Sequence, residues 1–539
     1  MRSKCRFQVI AFVLSAAIMA GAAGPADQKK PVKVYIMAGQ SNMVGMANTN
    51  TFQHIRMFPE SAETFKTMFN GDGSPVVLDD VWISSAVSHK DGSQGDVHGK
   101  LGPSFGARRT CIGPEYTFGV YMHEALQEPF VIIKTAWGGK SLNFDFRSPS
   151  AGQWTPPPGH PDLVKEEPPV LPIPKKLDLP ADYEPPASIV PKYASRIGNH
   201  MGLTAMRGVP IGEVNGVHPI YLVSDPRNEY KGNPFQKGDL IIGVDGLGLR
   251  EDPVGHWREA FHGSKHNDWM ITVTRWRKGK IAAFDFDISQ ILEGGRASIE
   301  KVMAETEQKK KNNEKNQGRY YRMMMDHIKM VLGDIKRVYP DYDPEAGYEI
   351  AGFVWFQGWN DLVNGRTYPN RDKPRGYEQY SWLLKHFIED VRKDLDAPKM
   401  PFVIGAMGVN GVESPPTTNK GHFQQAMAAP ADYPEFKGNV AAVQTGEYWD
   451  RQLEDIDNRS RRVNQYRNVL QMRYSLEGDA LKKAYAEYRA KHITPEEEEI
   501  LKKGKSSQGY HYLGSGKTMA GIGKGFAEAM LELHKNQEK

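Results

Sequence analysis

The sequence predicts an α/β protein, a three-layer sandwich with a central parallel sheet, that carries a smaller β-rich insert. Short apolar runs alternate with amphipathic stretches, and this alternation is typical of buried parallel strands joined by crossover helices. A proline-rich segment and a region of short β runs interrupt the alternation. With 539 residues, the chain is long enough for two to four domains of roughly 100 to 200 residues each.

Five apolar runs are predicted to form the parallel sheet, with amphipathic helices between them. The predicted strands cover residues 34–37, 129–136, 350–356, 401–407 and 439–444. The predicted helices cover residues 116–126, 320–338, 376–394 and 518–534. The main domain is therefore expected in two parts, residues 31–150 and 300–535.

The interruption predicts a linker followed by a separate small module. Twelve prolines lie between Thr155 and Pro191, which argues against a helix or a central strand and favours an extended linker over residues 151–193. Residues 194–290 then show short β runs at 218–223, 239–244, 269–275 and 280–288, separated by turn residues. We expect these residues to form the β-rich insert.

The first residues have the pattern of a signal peptide. Arg2, Lys4 and Arg6 precede an apolar run of about 13 residues and then small residues, which predicts cleavage near residue 23 and a secreted or periplasmic protein. That run is short for a membrane span of roughly 20 residues. Cleavage lowers the formal net charge from +4 to +1, because three basic residues are removed. A nearly neutral chain has no general attraction to nucleic acid.

A serine follows the first predicted strand, in the run Gly39-Gln40-Ser41-Asn42-Met43. In open α/β sheets, ligands bind at the carboxyl ends of the strands. Ser41 has two possible roles. It is either the N-cap of a helix, where its side chain accepts a hydrogen bond from a free helix amide, or a nucleophile that needs a general base. Its backbone N–H would also serve to bind an oxyanion.

Two further blocks end the second and third predicted strands. The second strand leads into Gly138 and Gly139, which form a tight turn or let a backbone amide approach a reacting acyl group. The third leads into Gln357-Gly358-Trp359-Asn360-Asp361. The Asn360 side chain either makes a local turn bond or completes an oxyanion hole, a role worth about 3 to 4 kcal/mol in hydrolases.

A histidine near the carboxyl end of the chain is the candidate general base. His511 lies in the run Gly509-Tyr510-His511-Tyr512-Leu513, just before the last predicted helix. Histidine has the pKa best suited to accept a serine proton near neutral pH, although a lone histidine is more often structural. If the pattern is catalytic, Ser41 and His511 must meet at one edge of the sheet.

These four blocks, in this order, resemble the SGNH, or GDSL-like, hydrolase superfamily. The third block carries a G-x-N-D motif, and the opening G-Q-S-N-M is similar to the sialate O-acetylesterase-like and acetylxylan esterase branch, carbohydrate esterase family 6. The resemblance covers about residues 31–146 and 318–534. It implies the SGNH hydrolase fold and a carboxylic ester hydrolase that removes O-acetyl or similar small acyl groups from carbohydrate.

The resemblance also implies roles for individual residues. Ser41 would be the nucleophile and His511 the base, and the oxyanion hole would be formed by Ser41, Gly138 or Gly139, and Asn360. Other residues in the blocks are predicted to contact the acetylated carbohydrate substrate: Gln40, Gln357, Trp359 and Tyr512.

The third member of a catalytic triad is not evident in the sequence. Related hydrolases commonly carry an Asp three residues before the histidine, or a Glu in a Q-G-E block, and here these positions are Gln508 and Trp359. Loss of the acid can cost around 10⁴ in turnover in serine proteases, because it fixes the imidazole tautomer. Asp361 and Asp450 lie near predicted strand ends, and we rank them equally as replacements.

The insert has a resemblance of its own. The run from Lys237 to Gly246 is similar to the G-D-x-I-x-x-V-N-G signature of PDZ domains, with Asp245 in place of the usual Asn. PDZ domains bind extended peptide ends by strand addition. A clear carboxylate-binding glycine loop is lacking, so a peptide ligand and a structural or substrate-gating role both remain open.

Two rival functions remain open at this point. One is a carbohydrate-binding protein that kept the fold after losing the acid, and the other is an exported scaffold in which the PDZ-like insert is the working part. No cofactor or metal is predicted, because no His or Cys cluster has ligand spacing and no phosphate-binding loop is present.

Overall fold

A computed structural model describes most of the chain outside its amino terminus, the predicted linker and parts of the insert. The described residues are 30–88, 94–154, 208–210, 221–223, 235–236, 238–248, 260, 270–287, 316–365 and 367–538. The predicted signal peptide, residues 1–23, lies outside them, as does nearly all of the predicted linker.

The strands and helices are numbered in chain order. The strands are β1 (Val32–Gly39), β2 (Ala47–Asn48), β3 (Val81–Ser88), β4 (Gln94–Lys100), β5 (Cys111–Ile112), β6 (Phe130–Ala136), β7 (Gly208–Pro210), β8 (Tyr221–Val223), β9 (Leu240–Val244), β10 (Leu247–Gly248), β11 (Met270–Arg277), β12 (Lys280–Asp287), β13 (Tyr348–Phe356), β14 (Phe402–Ala406) and β15 (Val440–Gln444). The helices are α1 (Ser41–Val44), α2 (Phe52–Arg56), α3 (Pro59–Thr64), α4 (Glu115–Leu126), α5 (Arg319–Gly333), α6 (Trp359–Leu362), α7 (Glu378–Asp394), α8 (Asn419–Ala428), α9 (Arg451–Arg473), α10 (Gly478–His492), α11 (Pro495–Gly504) and α12 (Gly516–Glu538). A 3-10 segment, Gly509–Gly514, precedes α12.

The central sheet has seven strands in the order β15-β14-β13-β1-β6-β3-β4. Neighbouring strands are parallel, except that β4 runs antiparallel to β3. All five predicted apolar runs form strands of this sheet, which confirms an α/β fold with a central, mostly parallel sheet. The strands β1 and β6 lie near its middle, and the side chains of β6 are buried along its whole length.

Helices cover both faces of the sheet. On β13, the Trp355 ring lies 4.3 Å from Phe387 of α7, whereas the ring of the next residue, Phe356, lies 5.4 Å from Phe526 of α12. Successive side chains of a strand point to opposite faces, so α7 and α12 lie on opposite sides of the sheet. The molecule therefore has the predicted three layers.

The two segments of the main domain that flank the interruption meet at one point. The Trp154 N–H donates to Gln317 Oε1 at 2.8 Å, and Gln317 Nε2 donates to the Gly152 carbonyl at 3.0 Å. The chain therefore leaves the α/β domain after Trp154 and returns to it before Gln317, so this excursion begins and ends at one place. The resemblance of this excursion to PDZ domains stays a prediction.

The described strands of the insert form an antiparallel sheet in the order β12-β11-β9-β8-β7, with β10 also paired to β9. One face of β9 packs on two helices of the main domain: Leu240 and Ile242 share an apolar cluster with Tyr466 and Leu470 of α9 and Leu481 of α10. Period-2 alternation places Leu240 and Ile242 on the same face of the strand. The helices α9 to α11, which we call the arm, therefore support the insert.

Among the described residues, no helix combines the length and apolar character that a membrane crossing requires.

Candidate functional site

Three strand ends are aligned at the site. Gly39 at the end of β1 pairs with Ala136 of β6 on one side and with Phe356 of β13 on the other. The Ser41, Gly138 and Asn360 blocks all follow these aligned positions by a few residues. The sequence-predicted blocks therefore meet at the carboxyl edge of the sheet.

Ser41 is the first residue of α1 and is partly exposed. The N-cap residue of α1 is Gln40, and no side chain caps this helix end. Within the part of the chain that the structure describes, the Ser41 hydroxyl makes no hydrogen bond. The alternative that Ser41 is a capping residue is therefore excluded, and the hydroxyl is available to a ligand.

The β1 end needs a glycine because neighbouring backbone comes very close. A Cβ added to Gly39 would lie 2.1 Å from the Phe356 carbonyl oxygen. The Gln40 N–H donates to that same oxygen at 3.2 Å, and the Trp137 N–H donates to the Gly39 carbonyl at 3.2 Å. These contacts fix the backbone that delivers Ser41.

The paired glycines differ in their relation to Ser41. A Cβ added to Gly138 would lie 3.8 Å from the Ser41 Cβ, so the Gly138 backbone is next to the serine. Gly139 has φ +72°, a conformation that favours glycine, and its Cβ position faces open space. Gly138 is therefore the better-placed candidate donor, and Gly139 allows the turn.

A buried glutamine links the first block to the third. Gln40 Oε1 accepts hydrogen bonds from Gln357 Nε2 at 3.3 Å, from the Gly358 N–H at 3.4 Å and from the Asn360 N–H at 3.4 Å. Gln40 and Gln357 are each 1% exposed. This contact holds the backbone of Asn360, whose side chain is partly exposed, beside the residue that precedes Ser41.

Asp361 organises the loop that follows the paired glycines. Its carboxylate accepts hydrogen bonds from the Leu142 N–H at 2.8 Å, the Asn143 N–H at 3.2 Å, Gln357 Nε2 at 2.7 Å and the Tyr368 hydroxyl at 2.9 Å. Burial raises the pKa of Asp361, and these hydrogen bonds oppose that effect. With four donors directed at it, the carboxylate acts as an acceptor and a structural anchor.

A buried ion pair lies behind the serine. Lys134 Nζ of β6 contacts Glu115 Oε2 of α4 at 2.7 Å, and it also donates to the carbonyls of Val44 and Phe105 at 2.9 and 2.8 Å. Val44 is the last residue of α1, so the ammonium stabilises the negative end of that helix. Burial lowers the pKa of Lys134, and Glu115 opposes that effect.

The histidine segment lies beside the serine segment. Asn48, seven residues after Ser41, donates its N–H to Ser506 Oγ at 3.0 Å, and the Gly516 N–H donates to Thr51 Oγ1 at 2.8 Å. Segment Gly509–Gly514 also contacts α1 directly. The segments that carry Ser41 and His511 are thus neighbours, although the structure has no hydrogen bond between the described side chains of these two residues. Such bonds are often long before substrate binds.

His511 is half-buried, and its ring has one side-chain hydrogen bond. Nδ1 lies 3.2 Å from Ser507 Oγ. Burial lowers the pKa of His511. The imidazole is therefore neutral near pH 7 and able to accept a proton.

Neither predicted acid contacts His511. Asp361 binds the four donors named above, and Asp450 caps α9 by accepting from the Leu453 N–H at 2.9 Å while its other oxygen lies 3.3 Å from Lys517 Nζ. The assignment of Asp361 or Asp450 as the triad acid is corrected accordingly. Both carboxylates already bind other donors.

The predicted substrate contacts divide into buried and accessible residues. Tyr512 is fully buried, and its hydroxyl bonds to the Gly408 N–H at 2.8 Å and to Thr445 Oγ1 at 2.6 Å. Together with the burial of Gln40 and Gln357, this corrects the prediction of substrate contact for these three side chains, which form the frame of the site. Trp359 is partly exposed and keeps the predicted role.

An aromatic surface adjoins the histidine. The Trp359 and Tyr510 rings lie 5.6 Å apart at 34°, and the Tyr510 ring lies 4.4 Å from the His511 ring. Tyr510 is 43% exposed. This pair joins the third block to the histidine block across the site.

Sequence reasoning missed several of these residues. Ser507 and Tyr510 stand next to the predicted base, but nothing in a single sequence shows which neighbour the imidazole meets. Lys134 did give a signal, because it is the one charged residue in the apolar run of β6 and a buried charge needs a partner. Among the described residues, no group of three His, Cys, Asp or Glu side chains is arranged to hold a metal ion.

Comparison with protein families defines the class of protein: the chain is an enzyme, a carboxylic ester hydrolase. In particular, residues 301–450 match the family described as "Carbohydrate esterase, sialic acid-specific acetylesterase". The predicted enzyme class, a carboxylic ester hydrolase, is confirmed by this match. The matched segment includes Asn360 and ends before His511, and it covers less than a third of the chain.

No curated protein matches the chain. Two solved structures are similar to it at low sequence identity. A protein from Arabidopsis thaliana is 11% identical over 77% of this chain and 86% of its own, with a TM-score of 0.28. A carbohydrate acetylesterase from Xanthomonas citri is 9% identical over 82% of this chain and 56% of its own, with a TM-score of 0.26. TM-scores this low do not establish a detailed structural correspondence.

Proposed function

We propose that this protein is an exported serine esterase of the SGNH type that hydrolyses O-acetyl or similar small acyl esters on carbohydrate, with Ser41 as nucleophile and His511 as general base. One observation carries the proposal: three aligned strand ends bring Ser41, Gly138 and Asn360 to one sheet edge, and the His511 segment lies against it. The ester-hydrolase class of the matched family supports the same chemistry.

The proposed reaction proceeds by acyl transfer. His511 Nε2 takes the Ser41 hydroxyl proton as Ser41 Oγ attacks the ester carbonyl carbon. The Ser41 and Gly138 N–H groups and the Asn360 side-chain amide hold the resulting oxyanion. Collapse breaks the bond to the sugar oxygen, which leaves with the proton from His511. Water, deprotonated by His511, then attacks acyl-Ser41 and releases the carboxylic acid.

A carbohydrate substrate is supported by the aromatic surface of Trp359 and Tyr510 beside the reacting groups. Aromatic rings offer apolar faces to the C–H faces of a sugar ring. The family description points to acetylated sialic acid, and the G-Q-S-N-M motif equally resembles acetylxylan esterases. Export is proposed from the signal-peptide pattern of residues 1–23, which places the enzyme outside the cell or in the periplasm.

The test is hydrolysis of p-nitrophenyl acetate and of acetylated sugars by the wild type and Ser41→Ala. Ser104, an exposed turn residue, gives the matched control Ser104→Ala. We expect Ser41→Ala to lower kcat/KM by on the order of 10⁴-fold or more, as for other nucleophilic serines, with the control unchanged. Equal rates for the wild type and Ser41→Ala would refute the esterase and favour a non-catalytic carbohydrate-binding protein.

For the insert, we propose a structural role on the arm, because Leu240 and Ile242 of β9 are buried against α9 and α10. The alternative, a PDZ-like peptide-binding scaffold, is tested with the full-length protein and a library of carboxyl-terminal peptides. Enrichment that is lost when Asp245 and Gly246 are replaced would favour peptide binding. If no peptide is enriched, the result favours the structural role.

A further inference from the structure

We propose that Ser507 positions His511, with a hydroxyl in the place where related hydrolases carry a carboxylate. This inference rests on the proposed function, in which His511 is the general base. Ser507 lies four residues before His511, and Ser507 Oγ and His511 Nδ1 are 3.2 Å apart. Gln508, which occupies the position of the usual Asp, is exposed.

Among the residues that the structure describes, no carboxylate forms an ion pair with His511. Asp361 and Asp450 bind other donors, and Lys505, the nearest charged residue along the chain, pairs with Asp457. Tyr510 is the titratable side chain in ring contact with His511. Among the described residues, none contributes a charge effect on the pKa of His511, which burial alone lowers.

The hydroxyl is held within the same turn as the imidazole. The Ser506 and Ser507 N–H groups both donate to the Leu513 carbonyl at 2.9 Å, and the His511 N–H donates to the Gln508 carbonyl at 2.9 Å. Gly514 closes the turn at φ +61°, where an added Cβ would lie 2.7 Å from the Ser507 Cβ. These backbone bonds within one turn fix Ser507 and His511 relative to each other.

A serine hydroxyl can donate or accept, and the proposal assigns Nδ1–H as the donor in this contact. When Nδ1–H donates to Ser507 Oγ, the lone pair of Nε2 is free to accept the Ser41 proton. A carboxylate in this place would also stabilise the imidazolium that forms, and a neutral hydroxyl does so far less. Ser507 thus orients the imidazole through a neutral partner in place of an anion.

The test compares pH profiles of kcat/KM for the wild type and variants of residue 507. Ser507→Asp is expected to raise the apparent pKa of the acidic limb by about one unit or more, because an anion beside His511 favours its protonated form. Ser507→Ala should lower kcat/KM by about tenfold through loss of one hydrogen bond, and Ser507→Thr should retain most of it. Gln508→Asp adds the same charge at an exposed neighbouring position. It should shift the apparent pKa of the acidic limb by less than about half of the shift in Ser507→Asp.

Two results would overturn the assignment. One is an acidic limb that stays in place in both Ser507→Asp and Ser507→Ala, and the other is a larger shift in Gln508→Asp than in Ser507→Asp. NMR titration of His511 in ¹³C-histidine-labelled protein, assigned with His511→Gln, gives the same comparison without activity. If Ser41→Ala hydrolyses esters as the wild type does, the proposed function fails, whereas an unchanged NMR pKa in Ser507→Asp refutes the Ser507 contact alone.

Discussion

At the scale of single residues, the site depends on buried polar side chains that support a few accessible ones. Gln40, Gln357 and Asp361 are each 1% exposed and bind one another or the backbone. Ser41 and Asn360, by contrast, keep partly exposed side chains. An unpaired buried amide or carboxylate costs about 1 to 3 kcal/mol or more, so these contacts restrict the site to one arrangement.

The lowered pKa of His511 predicts the pH dependence of hydrolysis. His511 must be neutral to act as the proposed base, and burial moves its pKa below the ordinary value of 6.5. Activity should therefore persist below pH 6.5 and be lost only as the pH falls through the lowered pKa. A pH profile of kcat/KM measures this, and a midpoint above 6.5 would show that an unrecognised anion acts on His511.

At the scale of elements, Lys134 of β6 holds α4 through its ion pair with Glu115 and α1 through its bond to the Val44 carbonyl. Both side chains are almost fully buried, and the Lys134 ammonium also binds the last carbonyl of α1. The α1 helix has four residues and makes few bonds of its own. Its position is therefore set by β6 and α4 more than by helix propensity.

Lys134→Met should strongly destabilise the protein, because Glu115 is left as an unpaired buried charge. We expect a loss of about 3 to 5 kcal/mol in the free energy of unfolding. Lys482→Met removes an exposed lysine that pairs with Asp479, and it should cost less than about 1 kcal/mol. Urea unfolding followed by circular dichroism measures both, and equal losses would contradict the role of burial.

At the scale of the whole molecule, the arm joins the insert to the histidine segment. The insert packs on α9 and α10, and α11 leads within a few residues to His511. Arg459 pairs with Glu497, and Lys505 pairs with Asp457, so ion pairs join α9 to α11 and to the residue that follows it. The insert therefore packs on the helices that directly precede the His511 segment in the chain.

Leu470→Asp should separate the insert from the arm. Leu470 is buried in the shared cluster, and an unpaired carboxylate there is costly. Hydrogen exchange should increase in β9 and α9 and remain unchanged in β1, β6 and β13. Ala486→Asp, at an exposed position of α10, is the control and should leave exchange in β9 unchanged. Hydrogen exchange in β9 and α9 that is the same in Leu470→Asp as in the wild type would contradict this packing.

The sequence predicted the centre of the molecule better than its periphery. The apolar runs of β1, β6, β13, β14 and β15 identified the parallel sheet, because strands buried on both faces need continuous apolar side chains. The strands β3 and β4 at the edge were missed, since Ser84 and Ser85 interrupt the apolar pattern of β3. Residues 476–504 are rich in charged side chains, a pattern typical of solvated helical surface or a flexible arm. They form α10 and α11, and the Thr494–Glu497 capping box was a readable signal of the start of α11.

For the site, a single sequence located the blocks and not their contacts. Ser41, Gly138, Asn360 and the His511 segment are neighbours as the strand-end argument requires. The partner of the His511 imidazole and the burial of the Tyr512 hydroxyl both depend on tertiary packing. A local sequence pattern does not reveal either. For this reason the sequence did not show that Asp361 and Asp450 bind donors other than His511, or that three of the predicted substrate contacts are buried.

The most direct measurement of the central claim is covalent labelling of the full-length enzyme with a fluorophosphonate, followed by peptide mass spectrometry. The account predicts one adduct, on Ser41, whose rate of formation falls sharply in His511→Ala and is unchanged in His123→Ala, a histidine on α4 that pairs with Asp80. An adduct on another serine would contradict this claim. So would esterase activity in protein whose Ser41 does not react with the fluorophosphonate.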